Sequence, residues 1–203
     1  MAEYRRKARE RGWSTYPGNQ PPLGLQGNGK LAMCDLEPHC FSTSGDESHQ
    51  LGLWRPRAGS NAMGELLETV KAYPPFQARI DGGGFKIITA DANYLYVQFE
   101  SLRKGFIDDV EFAVNKDGGV QVRSSSRLGF LDLGVNAKRL NWLSAHLRDK
   151  GWTAPAIGEE DFPDYFVKIN FTYDDYIRSV LSPQTCPSPT DTLNCLDPIT
   201  ASK

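Results

Sequence analysis

Hydrophobic positions between residues 60 and 151 follow two helical patterns. The first begins after Ser60, whose side chain suits a helix N-cap, and ends at Pro74 and Pro75, which cannot continue a helix. Its apolar positions recur every three to four residues, at Met63, Leu66, Leu67, Val70 and Tyr73. The second helix is predicted to start at Asn136 as its N-cap and to stop at Gly151. Its apolar stripe consists of Leu140, Leu143 and Leu147.

Four strand patterns lie between these helices. Phe85–Thr89 follows a glycine-rich turn, and Tyr94–Glu100 alternates apolar side chains with tyrosines and a glutamine. A hairpin follows, in which apolar residues alternate on both strands: Val110, Phe112 and Val114, then Val120 and Val122. Its loop, residues 115–119, has the turn-forming sequence Asn-Lys-Asp-Gly-Gly.

The hairpin loop also predicts the strand register. If Asn115 opposes Gly119, then Phe112 opposes Val122 on the apolar face. Glu111 then opposes Arg123, and we expect them to form a cross-strand charge pair on the polar face.

The order of helix, four strands and helix predicts an α+β fold. Because short loops join the strands, we expect a four-stranded antiparallel meander sheet with two flanking helices on one face. The core domain is predicted to span residues 31–150, beginning with an irregular loop over 31–59. Residues 1–30 and 151–203 are predicted to be extended terminal segments. The second of these is expected to contain a strand at Phe166–Phe171, a short helix after Thr172 and a proline-rich tail.

Composition limits the classes of function. The chain of 203 residues is 39% hydrophobic, enough to bury a core, and has a net charge of −2. This balance argues against general nucleic-acid binding, which requires a strong basic surplus. No apolar run reaches the roughly 20 residues of a membrane-spanning helix, and no signal-peptide core follows Met1. Either the protein is made where it works or a targeting segment lies outside this sequence, and we favour the second explanation.

Four cysteines fall into two pairs in proline-rich stretches: Cys34, Cys40, Cys186 and Cys195. One or two disulfides in an oxidising compartment are one interpretation, and free thiols are another. A zinc site is a third, because His39 and His49 lie near the first pair, although the spacing matches no common structural zinc pattern. We predict no metal and no cofactor.

A stretch from Asp108 to Arg139 carries a specific pattern. It contains Asp108-Asp109-Val110-Glu111-Phe112, then Val122-Arg123-Ser124-Ser125-Ser126-Arg127, then Gly129, Asp132, Gly134, Asn136 and Arg139. This pattern resembles the signature of the domain of unknown function 1499 family, DDVEF followed by VRSxSRxGxxDxGxN and an arginine. The segment from Cys34 to Cys40 resembles the opening motif of that family in its cysteine spacing and in Pro38, but Asp35 and His39 depart from it. The resemblance covers roughly residues 31–150.

The resemblance implies a fold but no established activity. Members of the family in photosynthetic eukaryotes are generally chloroplast proteins, and bacterial members are often exported. The resemblance therefore implies a chloroplast location, with the thylakoid as the expected site. Either setting fits the paired cysteines and a removed targeting segment.

The charged residues of the signature are balanced, with acids and bases in similar number: Asp108, Asp109, Glu111, Arg123, Arg127, Asp132 and Arg139. One interpretation is an ion-pair and capping network that includes Asn136 and ties the hairpin to the second helix. The alternative is an anion site, in which the three arginines converge near the N-terminus of that helix.

No catalytic motif accompanies these residues. Asp108 and Asp109 are adjacent, so a strand points them to opposite faces, which is poor geometry for joint acid–base catalysis. His146 lies on the second helix and is expected at its surface. The chain contains no phosphate loop, dinucleotide fingerprint or nucleophile elbow. We therefore predict a protein that is not an enzyme.

Two functions fit these observations. The first is an accessory or structural subunit of a larger, membrane-associated and photosystem-type assembly, which binds other protein subunits or the membrane surface. Its docking residues are expected near both ends of the chain: Arg5, Arg6, Lys7, Tyr173, Tyr176, Ile177 and Val180. This function predicts that residues 1–30 pack poorly on their own domain. The second is a domain that binds a small ligand or anion in a pocket lined by the arginines, or by Tyr94, Tyr96 and Phe99.

Overall fold

A computed structural model describes residues 20–34, 39–45, 50–74, 83–101, 105–128 and 132–169. The predicted α+β class is confirmed. In chain order the elements are β1 (Cys40–Ser42), α1 (Ala62–Lys71), β2 (Phe85–Ala90), β3 (Tyr94–Glu100), β4 (Ile107–Val114), β5 (Val120–Ser126) and α2 (Val135–Asp149). Residues 163–169 are also helical. No helix among the described residues is long and apolar enough to cross a membrane.

Within the described residues the sheet has five strands, where the sequence predicted four. Its order is β1-β5-β4-β3-β2, and every neighbouring pair is antiparallel. Strands β2 to β5 therefore form the predicted meander. The additional strand, β1, pairs with β5 through Cys40↔Ser125 and Phe41↔Ser124. It has only three residues, which are too few for an alternating pattern to be visible in the sequence.

The predicted hairpin register is confirmed. The Asn115 amide donates to the Gly119 carbonyl at 2.8 Å, Phe112 pairs with Val122, and Glu111 pairs with Arg123. Because side chains alternate along a strand, this register fixes which signature residues lie on each face of the sheet.

The two helices cover one face of the sheet, which we call the inner face. The apolar side chains of β3, β4 and β5 meet both helices there, and Trp54 from the preceding loop packs 5.8 Å from Phe112 between ring centroids. The predicted helix stripes are part of this core, with Met63, Leu66 and Val70 from α1 and Leu140, Leu143 and Leu147 from α2. The opposite, outer face is crossed by residues 20–31, which we call the strap.

Both predicted helix caps require correction. Asn61, not Ser60, caps α1, because its side-chain oxygen accepts from the Gly64 amide at 3.1 Å. Asn136 does not cap α2 but lies buried in its first turn. Asp132 takes the capping role, since its carboxylate accepts from the amides of Gly134 (3.0 Å) and Asn136 (2.8 Å).

The strand predicted at Phe166–Phe171 is also wrong over its described part, because residues 163–169 are helical. Pro163 suits the first turn of a helix, where its missing N–H costs no hydrogen bond. Aromatic and aliphatic residues on both sides of Pro163 recur at helical spacing and pack on the core: Phe162, Tyr165, Phe166 and Ile169. This segment places the Tyr165 ring 4.7 Å from that of Phe41.

The strap, which is the described part of the predicted N-terminal segment, is attached to its own domain by hydrogen bonds, and residues 1–19 lie outside the described residues. The Leu31 amide donates to Gln121 Oε1 at 3.0 Å, and Gln121 Nε2 donates to the Gly29 carbonyl at 3.0 Å. The predicted docking residues all lie outside the described residues: Arg5, Arg6, Lys7, Tyr173, Tyr176, Ile177 and Val180.

Candidate functional site

Strand β4 directs its two adjacent aspartates to opposite faces of the sheet, as the sequence predicts. Asp108 lies on the inner face and pairs with Arg139 of α2, Nη2 to Oδ2, at 2.8 Å. Asp109 lies on the outer face and pairs with Arg127, Nε to Oδ2, at 2.7 Å. The two carboxylates therefore belong to separate clusters and do not act on one group.

The inner cluster is built around Arg139, whose side chain is fully buried. Besides Asp108, its guanidinium donates to Asn136 Oδ1 at 3.0 Å and lies 4.3 Å above the Phe99 ring centroid. The inner face thus holds a charge by an ion pair, an amide and an aromatic ring together.

Asn136 joins three elements within this cluster. Its Oδ1 accepts from Ser124 Oγ of β5 as well as from Arg139, and its Nδ2 donates to the His39 carbonyl and to Ser126 Oγ, both at 3.0 Å. The residue predicted as a helix cap therefore connects α2 to β5 and to the residue that precedes β1.

Asp132 and Tyr165 close the inner cluster at the start of α2. The Tyr165 hydroxyl donates to the Asp132 carboxylate at 3.0 Å, in addition to the two backbone amides that Asp132 caps. Burial raises the pKa of Asp132 above its ordinary value of 3.8, and the nearby Asp108 carboxylate raises it further. Burial also raises the pKa of Tyr165, so its hydroxyl stays protonated as a donor.

The raised pKa of Asp132 gives an expected pH dependence. Asp132 contributes most to stability below the pKa of the unfolded chain, and this contribution falls as the pH rises through the folded pKa, because the unfolded carboxyl ionises more readily. Asp132→Asn does not titrate and lacks this decline. Urea unfolding midpoints from pH 3 to 7 should therefore show the wild type losing stability relative to Asp132→Asn as the pH rises. A constant difference between the two proteins would contradict this assignment.

The outer face carries a first cluster of tyrosine, carboxylate and arginine. The Tyr96 hydroxyl donates to Asp109 and accepts from Gln98 Nε2 (2.7 Å), while Arg127 holds both carboxylate oxygens at 2.7 and 2.8 Å. Burial and the hydrogen bond to Asp109 raise the pKa of Tyr96 to about 12. The hydrogen bonds to Asp109 raise the pKa of Arg127.

A second cluster of the same composition lies beside it. The Tyr94 hydroxyl donates to Glu111 Oε1 at 2.6 Å, and Arg123 Nη1 approaches Glu111 Oε2 at 3.5 Å. The predicted charge pair between Glu111 and Arg123 is present, but it is buried, not solvated, because the strap covers this face. Arg123 Nε is buried and has no hydrogen-bond partner among the described residues.

The three arginines do not converge, contrary to the anion-site alternative. Arg139 comes from α2 on the inner face, whereas Arg123 and Arg127 lie on the outer face, and each is paired with its own carboxylate. The ion-pair interpretation is the one that these contacts support. His39, Ser126 and Tyr165 also belong to this network, a role that the sequence did not assign to them. Tyr165 could have been found from the helical spacing of residues 162–169.

A disulfide joins Cys34 to Cys40, with 5.6 Å between the Cα atoms. It connects Cys34, three residues after the strap, to Cys40 of β1. Because both sulfur atoms are in the disulfide, neither is available as a zinc thiolate. Among the described residues no group of histidine, cysteine or acidic side chains could hold a metal ion. Cys186, Cys195 and His49 lie outside the described residues.

Reduction of this disulfide is expected to lower stability modestly. The bridge spans a sequence separation of 6, and closing so short a loop stabilises the folded state by about 2 kcal/mol in the chain-entropy model. Thermal unfolding with and without reductant should show this loss in the wild type. The double variant Cys34→Ser/Cys40→Ser serves as the control, and an equal effect of reductant on that variant would assign the loss elsewhere.

A groove of about 1090 Å³ opens at the hairpin end of the sheet. Leu25, Leu53 and Val114 give it apolar walls, and Lys30 and Lys116 line it as well. None of the arginines or aromatic residues expected to line a ligand pocket contributes to it. His146 is exposed, as expected, and stacks on Trp142 at 3.6 Å between ring centroids.

These features define a small α+β domain whose signature charges are paired on both faces of one sheet. The chain belongs to the family described as Protein of unknown function (DUF1499), whose model matches residues 30–147. The matched region includes every residue of the two outer-face clusters but not the strap before Lys30. Neither the comparison with curated proteins nor that with solved structures found a match.

Proposed function

We propose that this protein is a non-catalytic accessory subunit that binds other protein subunits within a larger assembly. The observation that carries this proposal is the strap. The outer face of the family domain holds a polypeptide segment that begins outside the matched region, through hydrogen bonds to Tyr96 and Glu111. A face that binds one extended segment has the chemistry to bind others.

The arrangement of the ionisable groups supports a binding role over a catalytic one. In the described part of the chain, each arginine of the signature is paired with its own carboxylate, one pair on the inner face and two on the outer face, and Asp132 caps α2. Paired and buried in this way, they fix the geometry of the strands and α2. General acid–base catalysis needs groups that converge on one reacting atom, whereas the inner and outer clusters lie on opposite faces and each arginine is bound to its own carboxylate.

The proposal includes a location. We propose that the assembly is membrane-associated, of the photosystem type, and lies in the thylakoid of a chloroplast. This location is the one that the family resemblance led us to expect. A disulfide is typical of proteins from compartments that are more oxidising than the cytosol. Cell fractionation tests this part separately, and recovery of the protein outside chloroplast membranes would contradict it.

The experiment that tests the assembly is a size measurement on the native protein. Membranes from the source cells are solubilised in mild detergent and separated by native gel electrophoresis, before and after a salt wash. The chain alone has a mass of 22.6 kDa. We expect it to migrate with a much larger complex and to be released, at least in part, by salt, because surface electrostatic contacts are screened. Migration as a 22.6 kDa species under all conditions would refute the proposal.

Anion binding is a second candidate function, favoured by one observation. Arg123 Nε is buried and has no partner among the described residues, so this donor is available to an acceptor that enters the outer face. Calorimetric titration with phosphate, compared between the wild type and Arg123→Met, tests it. Binding that depends on Arg123 supports this function, and equal or no heat from both proteins removes it.

A further inference from the structure

The strap contacts both outer-face clusters directly. Gln20 Nε2 donates to the Tyr96 hydroxyl at 2.9 Å, and the Gly24 amide donates to Glu111 Oε1 at 2.6 Å. The strap thus supplies N–H donors to an acceptor in each cluster. These acceptors are already oriented by the sheet, since Tyr96 is held by Asp109 and Glu111 by Tyr94.

The strap makes few apolar contacts with the domain. Leu31 at its end is buried, but Leu25 is 50% exposed, and most of the residues between them are exposed. The sequence from Gln20 to Leu31 is rich in glycine, proline and glutamine, which supply little apolar surface. A segment held mainly by hydrogen bonds, with little buried area, opens locally far more readily than the core.

Opening of the strap has a specific consequence for the outer face. Asp109, Glu111 and Arg123 are buried side chains. When the strap leaves, Glu111 exchanges its hydrogen bond with the Gly24 amide for contacts with water, and the outer face around it becomes accessible. The clusters are inside the family-matched region, whereas residues 20–29 are outside it. The binding groups therefore belong to the shared domain, and most of the segment that occupies them does not.

We propose that the outer face is a binding site for a polypeptide segment of a partner protein that is uncharged where it meets Tyr96 and Glu111, as residues 20–25 of the strap are, and that the strap occupies this site in cis until the partner segment replaces it. The partner segment donates a backbone N–H to Glu111 and a side-chain amide to Tyr96, as the strap does. This inference rests on the proposed function and names the site through which a partner subunit is held.

The strap can be released by one substitution. Gly24 has φ of +76°, which proline cannot adopt, and proline also lacks the N–H that donates to Glu111. Gly24→Pro therefore removes the central contact of the strap without changing a residue of the sheet. Gly27→Ala is the matched control, because this glycine has no positive φ and a Cβ there meets no atom within 4 Å.

The probe is a fluorescent synthetic peptide with the sequence of residues 20–31, titrated into each full-length protein and followed by anisotropy. We expect Gly24→Pro to bind the peptide at least tenfold more tightly than the wild type or Gly27→Ala, in which the strap occupies the site. A peptide with proline at the position of Gly24 is expected not to bind. Equal affinity for the two peptides would overturn the proposal, as would no binding by a Gly24→Pro protein that retains cooperative unfolding.

A second measurement does not depend on the folding of the variant. Hydrogen exchange on the wild type should show the Gly24 amide exchanging at least a hundredfold faster than the amides of β4 and β5. Exchange of Gly24 only upon global unfolding would overturn the proposal, as would a wild-type dimer in which the strap comes from a second copy. These outcomes are distinguishable from failure of the proposed function, because purified components are used and no native complex is required.

Discussion

Replacing Arg139 by alanine is expected to lower the free energy of unfolding by about 3–5 kcal/mol, because it leaves the largely buried Asp108 carboxylate without its cationic partner. Asp108 loses the 2.8 Å contact, and Asn136 Oδ1 loses one of its donors. The side chain above the Phe99 ring is also removed. Chemical denaturation followed by tryptophan fluorescence measures the change.

Two further variants test whether the loss in Arg139→Ala is specific to this buried ion pair. Lys138→Ala, on the exposed side of the same helix turn, is the control and should change the free energy of unfolding by less than about 0.5 kcal/mol. The combined variant Arg139→Met/Asp108→Leu removes both charges while keeping volume, and it should be more stable than Arg139→Ala. If the combined variant is as unstable as Arg139→Ala, the unpaired Asp108 charge is not the cause of the loss.

On the outer face, Asp109→Ala is expected to cost a similar amount, about 3–5 kcal/mol. Asp109 is fully buried and accepts from Tyr96 and twice from Arg127, so its removal leaves a guanidinium and a hydroxyl without their acceptor. The measurement is the same denaturation experiment, performed near pH 7, where Tyr96 is protonated.

An exposed pair of the same chemistry provides the control for this prediction. Asp117 lies 3.6 Å from Arg55, and both side chains are more than half exposed. Asp117→Ala should therefore have an effect of less than about 0.5 kcal/mol. Similar losses in Asp109→Ala and Asp117→Ala would show that burial does not set the strength of these pairs.

The strands of the meander and the hairpin register could be predicted because their information is local. Alternation identified Tyr94–Glu100 without error, and the loop at residues 115–119 fixed the pairing of Phe112 with Val122. The opposite orientation of Asp108 and Asp109 followed from the same alternation. In each case neighbouring residues in the sequence determine the result.

The partners of the signature residues could not be predicted in the same way. Asparagine is a residue type that often caps helices, so the sequence suggested this role for Asn136. Its contacts with Ser124, Ser126 and the His39 carbonyl form only after β1, β5 and α2 are assembled. Asp132 is an equally suitable cap, and its position two residues before Gly134 decides which of the two reaches the free amides. The sequence therefore predicts a cap near the start of α2 but does not show which of the two residues supplies it.

The attachment of the strap could not be predicted, for a related reason. A segment rich in glycine, proline and glutamine has little apolar surface, so its composition indicates an extension without a core. Its attachment depends on acceptors that lie far away in the sequence, such as Glu111, 87 residues from Gly24. Composition describes the segment and contains no information about those acceptors.

The order of the strands has a consequence for how the chain folds. Strands β2 to β5 pair with their neighbours in sequence, so the meander closes only short loops. Strand β1 pairs with β5, which lies far from it in the sequence. The hydrogen bond between Asn136 and the His39 carbonyl spans 97 residues. The entropy of closing that long loop places β1 and the strap late in folding, after the meander has formed. In reverse, we expect the mostly exposed strap to separate first, because β1 is held in the core by the buried Phe41, and the chain can then expose its outer face while the sheet and its helices stay folded.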